Sequence, residues 1–422
     1  MPNDVVASQP SCDDDYDSDS LTCDQAVARI LGAVSSVSET ETLPVREALD
    51  RVLAKPVISK IDVPSHTNSA MDGYAMRAED LPGDGTKRLQ VIGTAFAGKP
   101  YRGTVGPDQA IRIMTGAVVP PETGVVIMQE DTELEDEQIV IDNRHKPGQN
   151  VRAAGEDIAA GSTVLRPGHL IGPADLGLIA SLGIGEVEVG RRPRVAFLST
   201  GDELRGVGET LEVGEIYDSN RYTLHGMLKR LGTDIVDLGV VEDEREAVRA
   251  ALFEAAEVAD VVITSGGVSV GEADYIKEIL TEIGEVRFWK VAMKPGRPLA
   301  FGTIEGSIFF GLPGNPVSVM VTFYQFVQPA LLKLMGAEPR PQLLVKAKAA
   351  NTLKKRPGRL EYQRGYLKRD ENGELTVSTD ADQGSGILSS MSSANCFVVL
   401  PMDGGRVEPG AAVDVQPFYG MM

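Results

Sequence analysis

Three short stretches combine small, hydroxyl and acidic residues in a way that suits a phosphorylated ligand. Ser199-Thr200-Gly201-Asp202-Glu203 closes the apolar run RVAFLST, Ser265-Gly266-Gly267-Val268-Ser269 closes DVVITS, and Gly311-Leu312-Pro313-Gly314-Asn315-Pro316 follows IFF. A glycine-rich turn that feeds a helix offers unpaired backbone N–H groups and the positive end of the helix dipole to an anion. Glycine also serves plain strand-to-helix geometry, so a single such turn is as readily structural. Three of them, each at the end of an apolar run, favour a shared ligand. Glu203 and Asp274 beside these turns would repel a bare phosphate unless a cation lay between them. Oxygen-only ligands of this kind suit Mg²⁺, which bridges one or two carboxylates to substrate phosphates. The alternative is that both are solvated first-turn helix acids, worth ~0.3–1 kcal/mol each through the dipole.

Cations stand nearby in sequence. FWKVAMKPGRP carries Lys290, Lys294 and Arg297, and its lysines could present point charges to a tetrahedral oxyanion or simply solvate a strand end. Upstream, NSAMDGYAMR holds Asp72 before a glycine, RIMTG ends on Thr115-Gly116, and GEDI places Asp157 after a glycine. Each of these is equally compatible with turn chemistry alone. Neither G-x-x-x-x-G-K-[ST] nor G-x-G-x-x-G occurs, which disfavours a Walker nucleoside triphosphatase and a dinucleotide dehydrogenase.

The elements that must position these residues change character along the chain. Ala26, Val27, Ile30, Leu31 and Val34 fall on one helical face within 21–37. Between 59 and 160 short apolar runs such as LQVIG and IRIM alternate with Gly and Pro, as in a β-rich unit. From 193 onward strands (RVAFLST, TDIVDLGVV, DVVITS) alternate with helical patterns over 219–231, 244–258 and 273–283, which predicts a parallel doubly wound sheet. Such sheets bind ligands beyond the carboxyl ends of their strands, where all three polar clusters fall. Asn315 suits a helix N-cap and Pro316 the first helical position. After about 341 alternation returns, predicting a compact antiparallel β domain.

Composition limits the readings further. At 422 residues the chain exceeds one ordinary core, and two to four domains are expected. A net charge of −20, from 41 basic and 61 acidic residues, argues against nucleic-acid or acidic-membrane partners. It leaves room for a small anion, because charges beyond about 8 Å are largely screened at physiological salt. No uninterrupted apolar run reaches the roughly 18 residues of a membrane span. The first twenty residues are rich in Asp with no Lys or Arg, unlike a secretory signal, and read as a disordered acidic tail. Cys12, Cys23 and Cys396, and the four scattered histidines, offer neither a disulfide framework nor zinc spacing, so a reducing, cytoplasmic setting is the expectation.

The segments STGDEL, IYDSNRYTL, VVITSGGVSVGEADY, FWKVAMKPGRP and GLPGNPVS occur in that order. Together with NSAMDGYA, RIMTGAVVP, GEDI, GRLEYQRG and DQGSGIL they resemble the molybdopterin molybdenumtransferase family, MoeA in bacteria and the E domain of gephyrin in animals. The resemblance covers roughly residues 21–420. It implies a multidomain α/β plus β protein. A MogA-like doubly wound α/β domain would span 21–39 and 193–341, and a linking, dimerising domain 40–58 and 161–192. An inserted β-rich domain would fill 59–160, and an antiparallel β domain 342–422, after a tail over 1–20.

The implied reaction completes the molybdenum cofactor: molybdate enters adenylylated molybdopterin, its phosphoanhydride is cleaved with Mg²⁺, and AMP leaves. The implied assembly is a homodimer, with molybdopterin adenylyltransferase and recipient molybdoenzymes as partners. Carried over by motif, Asp72, Thr115, Asp157, Glu203, Asp243, Asp274, Lys290 and Lys294 would serve catalysis, with Glu203 and Asp274 on the metal. Thr200, Gly201, Asp218, Ser265, Gly266, Gly267, Ser269, Pro313, Gly314, Asn315, Pro316, Arg364 and Ser385 would bind the substrates. Arg297 departs from the family's frequent Lys. Two other readings fit parts of the chain: the adenylyltransferase of the preceding step, which shares the α/β architecture, and a gephyrin-like receptor-anchoring scaffold.

Overall fold

The computed structural model describes residues 20–266, 274–339, 341–380 and 382–418, apart from the side chains of 274–277 and 288. The expected acidic tail thus lies, but for residue 20, outside the described residues. The chain forms two compact units. One holds the described residues through Glu41, then Asp50–Val52, and everything from Gly190 on; the other holds Thr42–Leu49 and Leu53–Val189.

The first unit is built on a six-stranded sheet: β1 (Arg194–Thr200), β2 (Asp234–Val241), β3 (Val261–Ser265), β4 (Gly284–Lys290), β5 (Pro298–Ile304) and β6 (Ser307–Leu312), in the order β2-β1-β3-β6-β5-β4. Every residue of β3 is buried, and of β1 all but Arg194, as expected of strands covered on both faces. Alternate residues feed two separate cores. Val195, Phe197, Val261, Ile263, Phe310 and Leu312 pack under helices α1 (Cys23–Ala33), α2 (Ser219–Leu231) and α5 (Pro316–Leu334). Ala196, Leu198, Val262 and Phe309 pack under α3 (Arg245–Val258) and α4 (Asp274–Ile283). Helices on both faces make the sheet doubly wound.

One sequence expectation needs correction. β2, β1, β3 and β6 are parallel, but β5 and β4 run antiparallel to their neighbours. The reason is connection length. A parallel crossover needs a dozen or more residues, whereas only Glu305-Gly306, both at positive φ (47° and 90°), separate β5 from β6. Because it runs antiparallel to an antiparallel neighbour, β4 points the same way as β6 and ends on the same edge.

Helix ends follow their local chemistry. Thr22 and Gln25 form a reciprocal capping box at α1. Asp218 caps α2, which stops at Gly232 with φ 74°. Asn315 sits at the N-cap of α5, but its side chain makes no cap bond. The Val317 N–H donates instead to Ser385 O at 3.1 Å. α5 is long and apolar enough to span a membrane, yet 72% of its apolar window is buried in the protein, as in a core helix. Cys23 and Cys396 are free and buried, and burial pushes both thiols up to about 12.

The C-terminal part of this unit is a closed barrel of β7 (Val345–Ala349), β8 (Leu360–Arg369), β9 (Leu375–Thr379), β10 (Cys396–Leu400) and β11 (Ala412–Pro417), in the circuit β8-β9-β7-β11-β10-β8. All pairings are antiparallel except β7 with β9. The alternation read from sequence gives strands, but not this parallel pair, which arises because β8 intervenes between its members. Closure leaves no exposed sheet edge. The two-residue strand Met293–Lys294 pairs parallel with Leu360 and Glu361 of β8, tying the KPGRP segment to the barrel.

In the second unit, strands Gly73–Met76, Thr86–Ala95, Gln109–Ile113, Val125–Met128, Glu133–Glu135 and Gln138–Asp142 form one sheet over two apolar clusters. A separate cluster of Val45, Leu53, Ile171, Ile179 and Val189 packs around the helix Pro173–Ser181.

The sheet edge opposite the polar clusters is pinned by Asp260, which precedes β3. It accepts from Arg191 Nη1 and Nη2, both at 2.9 Å, and from the Arg194 N–H at 2.7 Å. Burial pulls the Asp260 carboxyl upward, but the Arg191 guanidinium and the Arg194 N–H outweigh it and hold it below the usual range. A depressed carboxyl contributes stability above its unfolded pKa of about 4, and loses it as pH falls through the lower folded value. Asp260→Asn should therefore cost about 1–3 kcal/mol at pH 7, with the gap to the parent closing below about pH 4. Urea unfolding across that pH range measures it; a pH-independent gap would contradict this account.

Candidate active site

Five strands, β1, β2, β3, β4 and β6, end at one edge of the sheet, and β5 begins there. Pairing of Ser199 with Ser265, and of Ser265 with Leu312, sets the three polar turns side by side. Gly266 has φ 93°, and a Cβ there would stand 2.8 Å from Thr200 O. Only glycine allows this approach without strain. An ideal Cβ on Gly314 lies 3.9 Å from Gly266 Cα, so the second and third turns also face each other. Gly201 (φ 151°) lets the Glu203 carboxylate fold against its Cα, since a Cβ would lie 2.6 Å from Glu203 Oε2.

A residue that the sequence reading passed over joins the second and third turns. Asn220 Nδ2 donates to Ser265 Oγ at 2.9 Å and to Gly314 O at 2.6 Å. Asn220 lies inside IYDSNRYTL, and the available signal was an amide side chain two residues after the helix-capping Asp218. Asp218 is buried, and its Oδ1 accepts from the Arg221 N–H at 3.1 Å. Among the described residues, Ser199 Oγ, Asp218 Oδ2 and Asn220 Oδ1 are buried with no hydrogen-bond partner. Three polar atoms without a protein partner near one sheet edge are costly, at about 1–3 kcal/mol each, unless water or a ligand completes them.

The remaining residues of this unit fall around the same edge. Asp243 stands two residues beyond β2 on the exposed approach to α3. Lys290 ends β4, exposed, and Lys294 follows in the loop to β5. Gly296, at φ 96°, presses that loop onto α5, with its Cβ position 2.6 Å from Thr322 Cγ2. Arg364 is buried in β8: Nε donates to Ser390 Oγ, Nη1 to Gln383 O and Nη2 to Gly384 O, each at 2.9 Å. Its guanidinium thus holds the loop that carries Ser385, whose carbonyl meets the start of α5. Burial lowers its pKa. Gly267 and Ser269 lie outside the described residues, and Asp274 is described only as the first residue of α4. The pairing of Asp274 with Glu203 is therefore outside what the structure describes.

Asp72, Thr115 and Asp157 belong to the second unit. Thr115 donates to Asp72 Oδ1 through both its N–H and its hydroxyl, at 2.7 Å each. The backbone N–H first, and the hydroxyl next, hold the exposed Asp72 carboxyl below its usual range. Gly73 is more than half of an Asp-Gly turn. It opens a strand with its Cβ position 2.0 Å from Ile127 O, an approach no other residue could make. Asp157 is exposed, and its N–H donates to Val63 O at 3.1 Å.

Among the described residues no three His, Cys, Asp or Glu side chains gather into a metal cage. A cation held by one or two carboxylates and by substrate oxygens remains compatible with the donors present, and that is the usual manner of Mg²⁺.

Comparison with known proteins places this geometry in context. Residues 21–183 match the MoeA N-terminal region (domain I and II), 196–333 a probable molybdopterin binding domain, and 346–418 the MoeA C-terminal region (domain IV). The chain is 46% identical over 404 residues to a molybdopterin molybdenumtransferase of Haemophilus influenzae, covering 95% of this chain and 100% of that one. It is 34% identical to a gephyrin of Dictyostelium discoideum, over 92% of this chain and 61% of the other. The crystal structure of a molybdopterin biosynthesis MoeA protein from Pyrococcus horikoshii superposes with a TM-score of 0.81 at 31% identity, over 94% of this chain and 99% of that one.

A pair of substitutions tests the close seating of the turns. Gly266→Ala should destabilise the protein by about 1–3 kcal/mol, from a positive φ and a backbone collision. Gly226→Ala, on the open face of α2 with nothing within 4 Å, should stabilise it by about 0.5–1 kcal/mol. Denaturant midpoints that move together in the same direction would contradict the geometry.

Proposed function

This chain belongs to the MoeA family of molybdopterin molybdenumtransferases, and on that premise we propose that it inserts molybdate into adenylylated molybdopterin, with Mg²⁺-dependent cleavage of the phosphoanhydride and release of AMP. Its place in molybdenum cofactor biosynthesis follows from the family; the adenylylated substrate and the Mg²⁺-dependent step are our reading. The observation that carries that reading is the clustering of three polar turns, two of them joined by Asn220, beside buried Ser199 Oγ, Asp218 Oδ2 and Asn220 Oδ1 that have no protein hydrogen-bond partner. Such a surface offers backbone N–H, hydroxyl and amide groups to a nucleotide, where the chain's acidic surface alone would repel one.

In this reading Thr200, Gly201, Ser265, Gly266, Gly267, Ser269 and the Pro313–Pro316 turn seat the nucleotide, with Asp218 at its edge. Glu203 and Asp274 hold Mg²⁺, and the fold of Glu203 against Gly201 supports this by leaving its carboxylate at the mouth of the first turn. When bound, Mg²⁺ neutralises phosphate charge that these carboxylates would otherwise oppose. Lys290 and Lys294 supply positive charge to the transferring phosphoryl group and to molybdate, the major lever in such transfers. Arg364 acts by holding Gln383 and Gly384, and so Ser385, in position. Asp72, Thr115, Asp157 and Asp243 act as polar groups of the same reaction, and Arg297 keeps a charge in the KPGRP loop. The reading extends to a cytoplasmic homodimer, supplied by molybdopterin adenylyltransferase and serving recipient molybdoenzymes.

An adenylyltransferase would consume ATP with molybdopterin. Matches to the N-terminal and C-terminal MoeA regions speak for the later step instead. A receptor-anchoring scaffold would bind its peptide without making AMP.

Lys294→Ala should lower molybdate-dependent AMP release by about 10²-fold or more, the scale of losing one preorganised charge. Its melting temperature should stay within a few degrees of the parent. AMP release that survives the substitution unchanged would remove Lys294 from the mechanism.

A further inference from the structure

The barrel contributes a second concavity that nucleotide binding leaves unused. A pocket of about 560 Å³ has Lys294 in its wall, and the turn KKRPGR supplies Lys354, Lys355, Arg356 and Arg359 to the lining, with Arg406 beyond. Glu361 and Asp380 are its acidic residues. In a chain of net charge −20, this concentration of positive charge is local and opposite to the whole.

The wall is a fixed frame. Lys355 is buried, and its Nζ donates to Arg356 O at 3.0 Å and Gly404 O at 3.1 Å, pinning the turn from beneath. Gln363 Nε2 donates to Lys354 O at 2.7 Å, and Gln383 Oε1 accepts from the Arg364 N–H at 2.8 Å. Parallel pairing with β8 brings Lys294 into this frame. Arg406 is partly neutralised by Glu408 at 2.7 Å. The exposed Lys354 and Arg356 are therefore the principal sources of the outward field.

Size and chemistry select the ligand. About 560 Å³ is far too roomy to close around one tetrahedral oxyanion, and the lining has no aromatic ring on which a pterin or base could stack. A cationic cleft with low-dielectric walls instead raises the local concentration and arrival rate of an anion. Within a screening length of about 8 Å its cations outweigh the distant acidic surface. We propose that this pocket is a vestibule that collects a small tetrahedral dianion, the class to which molybdate belongs, and delivers it to Lys294. The inference rests on molybdate being a substrate of the neighbouring site.

The full-length Lys354→Ser/Arg356→Ser variant tests it, with Lys346→Ser/Lys348→Ser as a control that removes equal charge from the outside of the barrel. In AMP-release assays at low ionic strength, the vestibule variant should show a KM for molybdate raised about 3- to 10-fold, within the range of electrostatic steering. Its kcat and its KM for adenylylated molybdopterin should be unchanged, and the difference should fade at high salt. The control should match the parent. An unchanged molybdate KM overturns the vestibule, as does a raised KM for the organic substrate, which would make the pocket a pterin subsite. Equilibrium dialysis of molybdate against sulfate tests the pocket independently of turnover. Equal molybdate binding by variant and parent overturns the inference even if no AMP release is seen, whereas absence of AMP release in the parent overturns the functional reading instead.

Discussion

The seating of Gly266 against the Thr200 carbonyl sets the geometry of the edge where the first unit's three polar turns meet. With no Cβ between them, β1 and β3 bring their terminal turns into contact, and the turn after β6 meets Gly266 from the other side. Asn220 then spans the gap as a single amide bonded to both turns. Because backbone, rather than long side chains, forms these walls, the turns are held in place by the sheet itself.

Cations reach that edge in a chain that is acidic as a whole. The carboxylates that make the protein acidic are spread over its surface, where screening limits their reach. Lys290 and Lys294 end or follow β4 on the edge of the polar turns, and the barrel's KKRPGR turn adds further cations beside Lys294. The antiparallel β4–β5–β6 arrangement makes this possible, because it sends β4 toward the same edge as the parallel strands. A fully parallel sheet would have needed long crossovers there and could not have placed the short KPGRP loop against α5.

Much of this was legible in the sequence, for physical reasons that can be named. Strand-helix alternation after 193 gave the doubly wound sheet, and α2 spans the same residues, Ser219–Leu231, as its apolar pattern indicates. Glycine-bearing turns after apolar runs indicated the set of turns that the structure brings together at one sheet edge. The antiparallel edge was not legible, because an apolar run does not report its direction; only the two-residue turn at Glu305-Gly306 does. The parallel β7–β9 pair and barrel closure depend on distant partners that alternation cannot specify. Asn220 was missed because an Asn in the first turn of a helix looks like a local backbone partner, and its actual partners lie 45 and 94 residues away. The motif that carries Arg364 did not reveal its structural part, in which its side chain bonds Ser390, Gln383 and Gly384.

The central claim is that this edge cleaves adenylylated molybdopterin when molybdate is present. The direct measurement supplies the purified chain with adenylylated molybdopterin and follows AMP while molybdate and Mg²⁺ are each added or withheld. AMP should appear at an appreciable rate only when both are present, together with molybdenum bound to the pterin product. AMP formed equally well without molybdate, or ATP consumed in place of AMP released, would contradict the account.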